Sequence, residues 1–301
     1  MQRPLVLGEV LFDCFESGET LGGAPFNVAW HLRGFGLDPL FVSRIGVDRH
    51  GERVLEQMES WGLDASAMQR DPRHPTGKVQ VSVHAGQPQF EILPDQAYDF
   101  LDWDSVDSLL EGTEIASLYH GTLAVRREEA ARALLALRRR RRPPVFIDVN
   151  LRAPWWSRDG VRALVRGAHC VKLSDGELDE LGEPEADENR PGGLADRAER
   201  LRGVLGIGML VVTAGAGGAC VVGPGVRERV PAAPVGEVVD TVGAGDAFSA
   251  VVVLGLTHGW AWACTLRRAA QFAALVCGYR GAVRADRTPY GQLLRQWRDD
   301  G

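Results

Sequence analysis

The chain has 301 residues, 45% of them hydrophobic, which is enough to bury a sizeable core in one large α/β domain or two small ones. Its 40 acidic and 34 basic residues leave a formal charge of -6, so nothing electrostatic points to DNA or RNA as a partner. The five cysteines are odd in number and widely spaced, which implies free thiols in a reducing compartment, and the seven histidines show no zinc-ligand spacing.

The opening residues carry no secretory pattern, and the longest apolar run, Ala247 to Leu256, is too short to span a bilayer. A cytoplasmic protein with no membrane partner is expected. Lysine occurs only at Lys78 and Lys172 while arginine supplies the other positive charges. Either a role that arginine's planar fork cannot fill or a codon preference accounts for that pattern.

In chain order, Leu5 to Leu7 reads as a strand closed by Gly8, followed by a short excursion, a glycine turn at Gly22-Gly23 and a helix from Val28 to Gly34. Leu40 to Ile45 is the next strand, and Gly51 to Gly62 a helix with Val54, Leu55, Met58 and Trp61 on one face, closed by glycine. Between Thr76 and Leu93 the period drops to two: Val79, Val81 and Val83 alternate with polar residues, and Gly86-Gln-Pro turns back toward Phe90, Ile92 and Leu93. A hairpin with one apolar face has to cover something, an active site or a partner subunit.

From Ala116 onward strands and helices alternate: strand 116–120, helix 127–142, strand 145–149, helix 161–168, strand 170–173 and strand 209–213. That alternation predicts a parallel sheet with crossover helices. The arginine run 138–142 ends a helix before Pro143-Pro144, where cations complement the helix dipole. The acidic stretch from Glu183 to Gly193, with two prolines and two glycines, predicts a surface loop.

The segment richest in chemistry is Asp240-Thr-Val-Gly-Ala-Gly-Asp-Ala-Phe248, between a short strand signal at Val238-Val239 and an apolar helix. Glycines at a helix start let backbone amides converge where the dipole is positive, which makes an anion hole. A P-loop would continue with lysine, but here Gly245 is followed by Asp246. A carboxylate beside a phosphate cradle repels it unless it has work to do, and the natural work is taking the proton of an attacking hydroxyl. A plain helix cap is the competing account of Asp246.

At this point the chain resembles the ribokinase-like (PfkB) carbohydrate kinase family, whose C-terminal signature reads like Asp240-Thr241-x-Gly243-Ala244-Gly245-Asp246-x-Phe248, and the likeness runs nearly end to end. The resemblance implies one three-layer α/β kinase domain over 1–301, with a mainly parallel central sheet, flanking helices and a small β lid from about 10–20 and 76–94. It implies Asp246 as base, the Gly243, Ala244 and Gly245 amides as the phosphoryl cradle, and Thr241 beside ATP. Gly8-Glu9 with Asp13, then Gly22-Gly23-Ala-Pro-Phe-Asn27, look like the family's sugar-binding residues, so Asp13 and Asn27 would bond substrate hydroxyls and Gly22 and Gly23 let the sugar approach the backbone. Arg44-Ile-Gly46-Val-Asp48-x-x-Gly51 is similar to the family's structural Gly-x-Asp-x-x-Gly turn.

In the second half Asp148-Val-Asn150-Leu-Arg152 looks like the Asp-x-Asn-x-Arg element of the fructokinase and ketodeoxygluconate kinase branches, with Arg152 either clamping substrate or forming a structural ion pair. Lys172-Leu-Ser174-x-x-Glu177 resembles an Asn-x-x-Glu element that acts through water on Mg²⁺; serine replaces the usual asparagine, which leaves Glu177 as the stronger expectation. By the same likeness Lys172 suits a phosphate contact, Thr213-Ala-Gly215-x-x-Gly218 forms a nucleotide edge, and Ala273 to Cys277 with Gly281-Ala282 stands on the adenine side.

The expected activity is therefore ATP- and Mg²⁺-dependent phosphorylation of a neutral sugar, fructose first, because the segment Phe90 to Tyr98 has no arginine to hold a sugar carboxylate. Kinases for ketodeoxygluconate, ribose or a nucleoside, and a nonenzymatic sensor, are the alternatives. A dinucleotide oxidoreductase is disfavoured because no Gly-x-Gly-x-x-Gly follows the first strand. The resemblance is compatible with a monovalent cation such as K⁺ and with a homodimer through the lid.

Overall fold

The computed structural model describes residues 3–16, 18–84, 87–182 and 193–299. In chain order its elements are β1 (Arg3–Leu7), β2 (Leu11–Phe15), β3 (Gly18–Gly22), α1 (Ala24–Gly34), β4 (Leu40–Gly46), α2 (Arg49–Trp61), β5 (Met68–Asp71), β6 (Gly77–His84) and β7 (Gln87–Ile92). There follow α3 (Trp103–Leu109), β8 (Ile115–His120), α4 (Glu128–Arg141), β9 (Val145–Asp148), α5 (Arg158–Val165), β10 (Cys170–Ser174), α6 (Asp175–Leu181) and α7 (Leu194–Leu205). The chain ends with β11 (Met209–Thr213), β12 (Ala219–Gly223), β13 (Val226–Val230), α8 (Ala244–His258), α9 (Trp262–Val276) and α10 (Thr288–Asp299).

Nine strands form one sheet in the order β13-β12-β11-β10-β9-β8-β1-β4-β5, parallel from β11 to β5 and antiparallel at the β12 and β13 edge. Its interior strands are largely apolar on both faces, as a sheet covered by helices on each side requires, while the edge strands β5 and β13 are polar. Alternate residues of a strand feed opposite core layers: Val6 and Val211 belong to one, while Leu5, Leu7, Leu210 and Val212 belong to the other. The first layer packs α1, α2, α8, α9 and α10 on the sheet, and the second packs α4 to α7.

Strand order runs one way from β1 through β4 to β5 and the other way from β8 onward. The crevice at such a reversal, beyond the carboxyl ends of the strands, is where open α/β sheets bind ligands. Gly8-Glu9 and His120-Gly121 leave β1 and β8 at that point.

A second sheet of four strands, ordered β3-β2-β6-β7, stands apart from the large one. Its β2–β3 and β6–β7 pairs are antiparallel and its central β2–β6 pair is parallel. Val79, Val81 and Ile92 are buried against Leu11, Tyr98, Leu123 and Ala124, so this face is covered largely by the chain itself. In the Val81–Phe90 pair, Val81 is buried and Phe90 is 53% exposed.

The strand expected at Val238-Val239 is absent: both valines lie in an irregular stretch, more than half exposed. A two-residue apolar pair flanked by Gly236 and Asp240 offers no ladder, and β13 ends at Val230 instead. The acidic stretch 183–192 and the hairpin turn at 85–86 lie outside the described residues. All five cysteines are free, Cys170 and Cys220 buried and the other three half-buried. No helix among the described residues is long and apolar enough to cross a membrane.

Candidate active site

Gly243 takes the left-handed conformation (φ 79°) at the N-cap of α8, and a Cβ there would stand 2.3 Å from that of Ala282, so only glycine serves. No side chain caps the helix, and its first-turn amides face the site with the positive end of the dipole behind them. The Ala244 amide is turned to the Thr241 carbonyl at 3.3 Å. Of the three amides expected in the cradle, it alone has to change partner to hold an anion.

Asp246 occupies the first turn of α8 without capping it, so a plain helix cap does not account for it. Its Oδ2 accepts from Asn27 Nδ2 at 2.7 Å, a bond across 219 residues of sequence. Asn27 is buried in α1, and its own Oδ1 is buried without a protein partner. The helix can bring Asn27 there because Gly23 (φ 109°) precedes it with a backbone path that a Cβ would block, 2.6 Å from the Glu9 carbonyl.

Loss of hydration lifts Asp246 to about 7, with Asp148 adding to the rise and Asn27, Lys172 and Arg152 opposing it. The same cause brings Asp13 to about 6 and Glu9 to about 7, and Arg152 opposes both shifts. Arg152 itself is exposed, its Nη1 3.2 Å from the Leu151 carbonyl, and is the one cation whose field reaches all three carboxylates. Asp13 lies on β2 opposite Thr20, and a Cβ on Gly22, two residues along β3, would sit 3.4 Å from Asp13 Oδ2.

Lys172 and Asp148 are neighbours in the β9–β10 register, with Lys172 Nζ 2.9 Å from each Asp148 oxygen. Glu177 spends both oxygens on backbone: Oε1 accepts the Leu151 amide at 2.6 Å and Oε2 the Ser174 amide at 2.7 Å. Ser174 caps α6 in return, accepting from the Glu177 amide at 3.2 Å. The pair thus ties the loop carrying Asn150 and Arg152 to the start of α6. Among the described residues no cluster of three His, Cys, Asp or Glu side chains could hold a metal alone.

Thr213 ends β11, and Gly215 and Gly218 bound the short turn into β12. Thr241 is exposed, and beside it Asp240 accepts the Val242 and Gly281 amides at 3.0 Å each. Residues 233–237 and Val239 border a cavity of about 670 Å³ whose far wall includes Gln271, Ala274, Leu275 and Gly278.

The structure thus joins Asn27 to Asp246, sets Gly22 beside Asp13 and Lys172 beside Gly245, and puts both Asp13 and Asp246 within the field of Arg152. Asp148 and Ser249 have no role of their own in the sequence reading, and Glu9 enters it only within the Gly8-Glu9 motif. Each carried a signal, because an acid at the end of an apolar strand or a serine three residues after the base on one helix face invites a question.

A profile of pfkB family carbohydrate kinases matches residues 4–289. The chain belongs to that family. A fructokinase of Klebsiella pneumoniae is 29% identical over 309 residues, covering 97% of each sequence. An aminoimidazole riboside kinase of Salmonella typhimurium is 27% identical, over 92% of this chain and 88% of its own length. A crystal structure of a Vibrio cholerae fructokinase double mutant with fructose, ADP and potassium superposes with a TM-score of 0.80 at 25% identity, over 98% of both chains. The fold is ribokinase-like, and the protein is an ATP-dependent sugar kinase.

Proposed function

We propose that this sugar kinase phosphorylates a neutral sugar, fructose foremost, with Asp246 as the base. The observation that carries the reading is the Asp246 carboxylate in the first turn of an uncapped helix, held by Asn27 and biased toward a pKa of about 7. A base so poised can take a hydroxyl proton near neutral pH while the adjoining amides stabilise charge on the transferred group. Asp13 and the free Oδ1 of Asn27 supply acceptors for sugar hydroxyls.

Charge balance supports a neutral substrate. At the sugar end, Asp13, Glu9 and Asp246 together outweigh Arg152. The neighbouring Arg126 is neutralised, since its Nε and Nη2 hold the Asp99 carboxylate at 2.7 and 2.6 Å with both side chains buried. An acidic sugar would meet uncompensated negative charge.

On the nucleotide side, Thr213, Gly215, Gly218 and Thr241 would border ATP, and the cavity beside Ala274 and Gly278 suits its base. Mg²⁺ fits a site with no cluster of its own, because it commonly keeps several waters and binds through phosphates plus one or two carboxylates. When bound it would neutralise phosphate charge, and Glu177, engaged with two amides, would reach it through water. A monovalent cation, such as the potassium in the Vibrio cholerae structure, belongs to the same proposal. So do a single kinase domain with the small sheet as its lid, a cytoplasmic location, and a homodimer through that lid.

The test is ATP consumption with Mg²⁺ against fructose, ribose, ketodeoxygluconate, adenosine and aminoimidazole riboside, alongside Asp246→Asn. Turnover selective for fructose, lowered on the order of 10²-fold or more by the substitution, is expected. Near-normal turnover of the variant rejects Asp246 as base; selectivity for another compound moves the substrate.

A further inference from the structure

Three buried polar side chains meet behind Asp246, and binding of sugar or ATP accounts for none of their mutual contacts. Asp148 ends β9, Lys172 lies beside it in β10, and Ser249 stands one turn beyond Asp246 on α8. Lys172 Nζ is 2.9 Å from both Asp148 oxygens, and Ser249 Oγ donates to Asp148 Oδ2 at 2.6 Å. Exposure is 1% for Asp148, 6% for Lys172 and 0% for Ser249.

Taking two opposite charges out of water often costs more than their attraction returns, so a buried pair calls for a reason beyond stability. Here the reason is in the geometry. The Lys172 ammonium lies 3.6 Å from where a Cβ on Gly245 would stand, which puts it in contact with the cradle. The Ser249 bond crosses from the helix that carries Asp246 to the strand end that carries Asp148.

We propose that Asp148, Lys172 and Ser249 are positioning residues for phosphoryl transfer, clamping the first turn of α8 to the ends of β9 and β10 and setting the local charge against which Asp246 acts. The proposal rests on the reading of Asp246 as the base. The groups facing Asp246 are Asn27 from α1, Glu9 from the end of β1, Tyr119 from β8, Asp148 from β9, Arg152 from the loop after it and Lys172 from β10. Among these, Asp148 raises the Asp246 pKa and Lys172 lowers it. Removing one or the other therefore moves the base in opposite directions, which a purely structural pair would not do.

The experiment measures kcat and KM across pH for the full chain, with whichever sugar the wild type turns over best, in Ser249→Ala, Lys172→Met, Asp148→Asn and the Lys172→Met/Asp148→Asn double variant. Ser249→Ala should lose on the order of tenfold in kcat while KM for sugar and for ATP stays within about threefold. The acid limb of kcat should move to higher pH in Lys172→Met and to lower pH in Asp148→Asn. The double variant should return it toward the wild-type position, with kcat still reduced.

If the single charge variants fail to fold, Ser249→Ala and the double variant decide alone. Wild-type kcat in Ser249→Ala, or limbs that move together, overturns the proposal. Asp246→Asn separates the two readings: retained turnover there refutes the base, whereas its inactivity beside a normal Ser249→Ala refutes only the positioning unit.

Discussion

Glu9 shows how a buried carboxyl at a binding crevice is a liability for the empty protein. It is 3% exposed, its Oε2 has no protein partner, and burial lifts it from the ordinary 4.5 to about 7. Between those values the folded chain keeps a proton that the unfolded chain releases, so stability falls as pH rises through about 7. Glu9→Gln removes that dependence. Urea titrations should show the variant equal to the wild type below about pH 4.5 and more stable by roughly 3 kcal/mol at pH 8; an equal gap at both pH values would mean that the carboxyl is already charged in the fold. Reading the sequence could find Asp246, because a carboxylate after two helix-start glycines is locally anomalous. The local signals of Glu9, Asp148 and Ser249 do not by themselves assign a role, because their partners lie on other strands and helices: Ser249 and Asp148 are 101 residues apart.

At the scale of elements, the turn from β4 into α2 does double duty. Asp48 caps α2 by accepting the Gly51 amide at 2.8 Å, and the same carboxylate accepts the Thr76 amide and hydroxyl, each at 2.8 Å. The entrance to β6 therefore hangs on the cap of a helix that begins 27 residues earlier. Asp48→Ala loses a cap and leaves a buried amide unanswered, a combined cost of about 2 to 4 kcal/mol. Chemical denaturation should register that loss, and a cost below about 0.5 kcal/mol would show that water replaces the carboxylate. Asp48 was legible as a turn residue, and the hairpin as a period of two, because both patterns are local. Periodicity alone does not mark β2 and β3, which only the resemblance places in a β lid, since Asp13, Glu19 and Thr20 break the apolar run and their place is set by pairing of β2 with β3 and β6. Val238-Val239 misled for the complementary reason: high strand propensity counts for little without a neighbour.

At the scale of the whole molecule, helices pack on both faces of one nine-stranded sheet, and both core layers run through the same strands. Neither layer can lose its packing while the other keeps its own. If the chain is one domain, as proposed, calorimetry should show a single cooperative transition, raised by about 2.7 kcal/mol of stability when MgATP is present at 100 times its Kd. Two transitions shifted separately by nucleotide would refute the single unit. The alternation of strands and helices made the parallel sheet legible, but the strand order was not, because the reversal at β1 depends on which neighbour each crossover selects.

The chain's two lysines acquire a further meaning from their surroundings. Lys172 is sequestered by Asp148, while Lys78 is half-buried on β6 in the small sheet that carries Asp13. Acylating reagents need an accessible amine, and Lys172 is buried against Asp148. Among lysine side chains, Lys78 is thus the one open to an amine-directed fluorophore or crosslinker, and it lies on the small sheet proposed to border the sugar. A composition nearly free of lysine has left the molecule with a handle where a reporter of substrate binding would be placed.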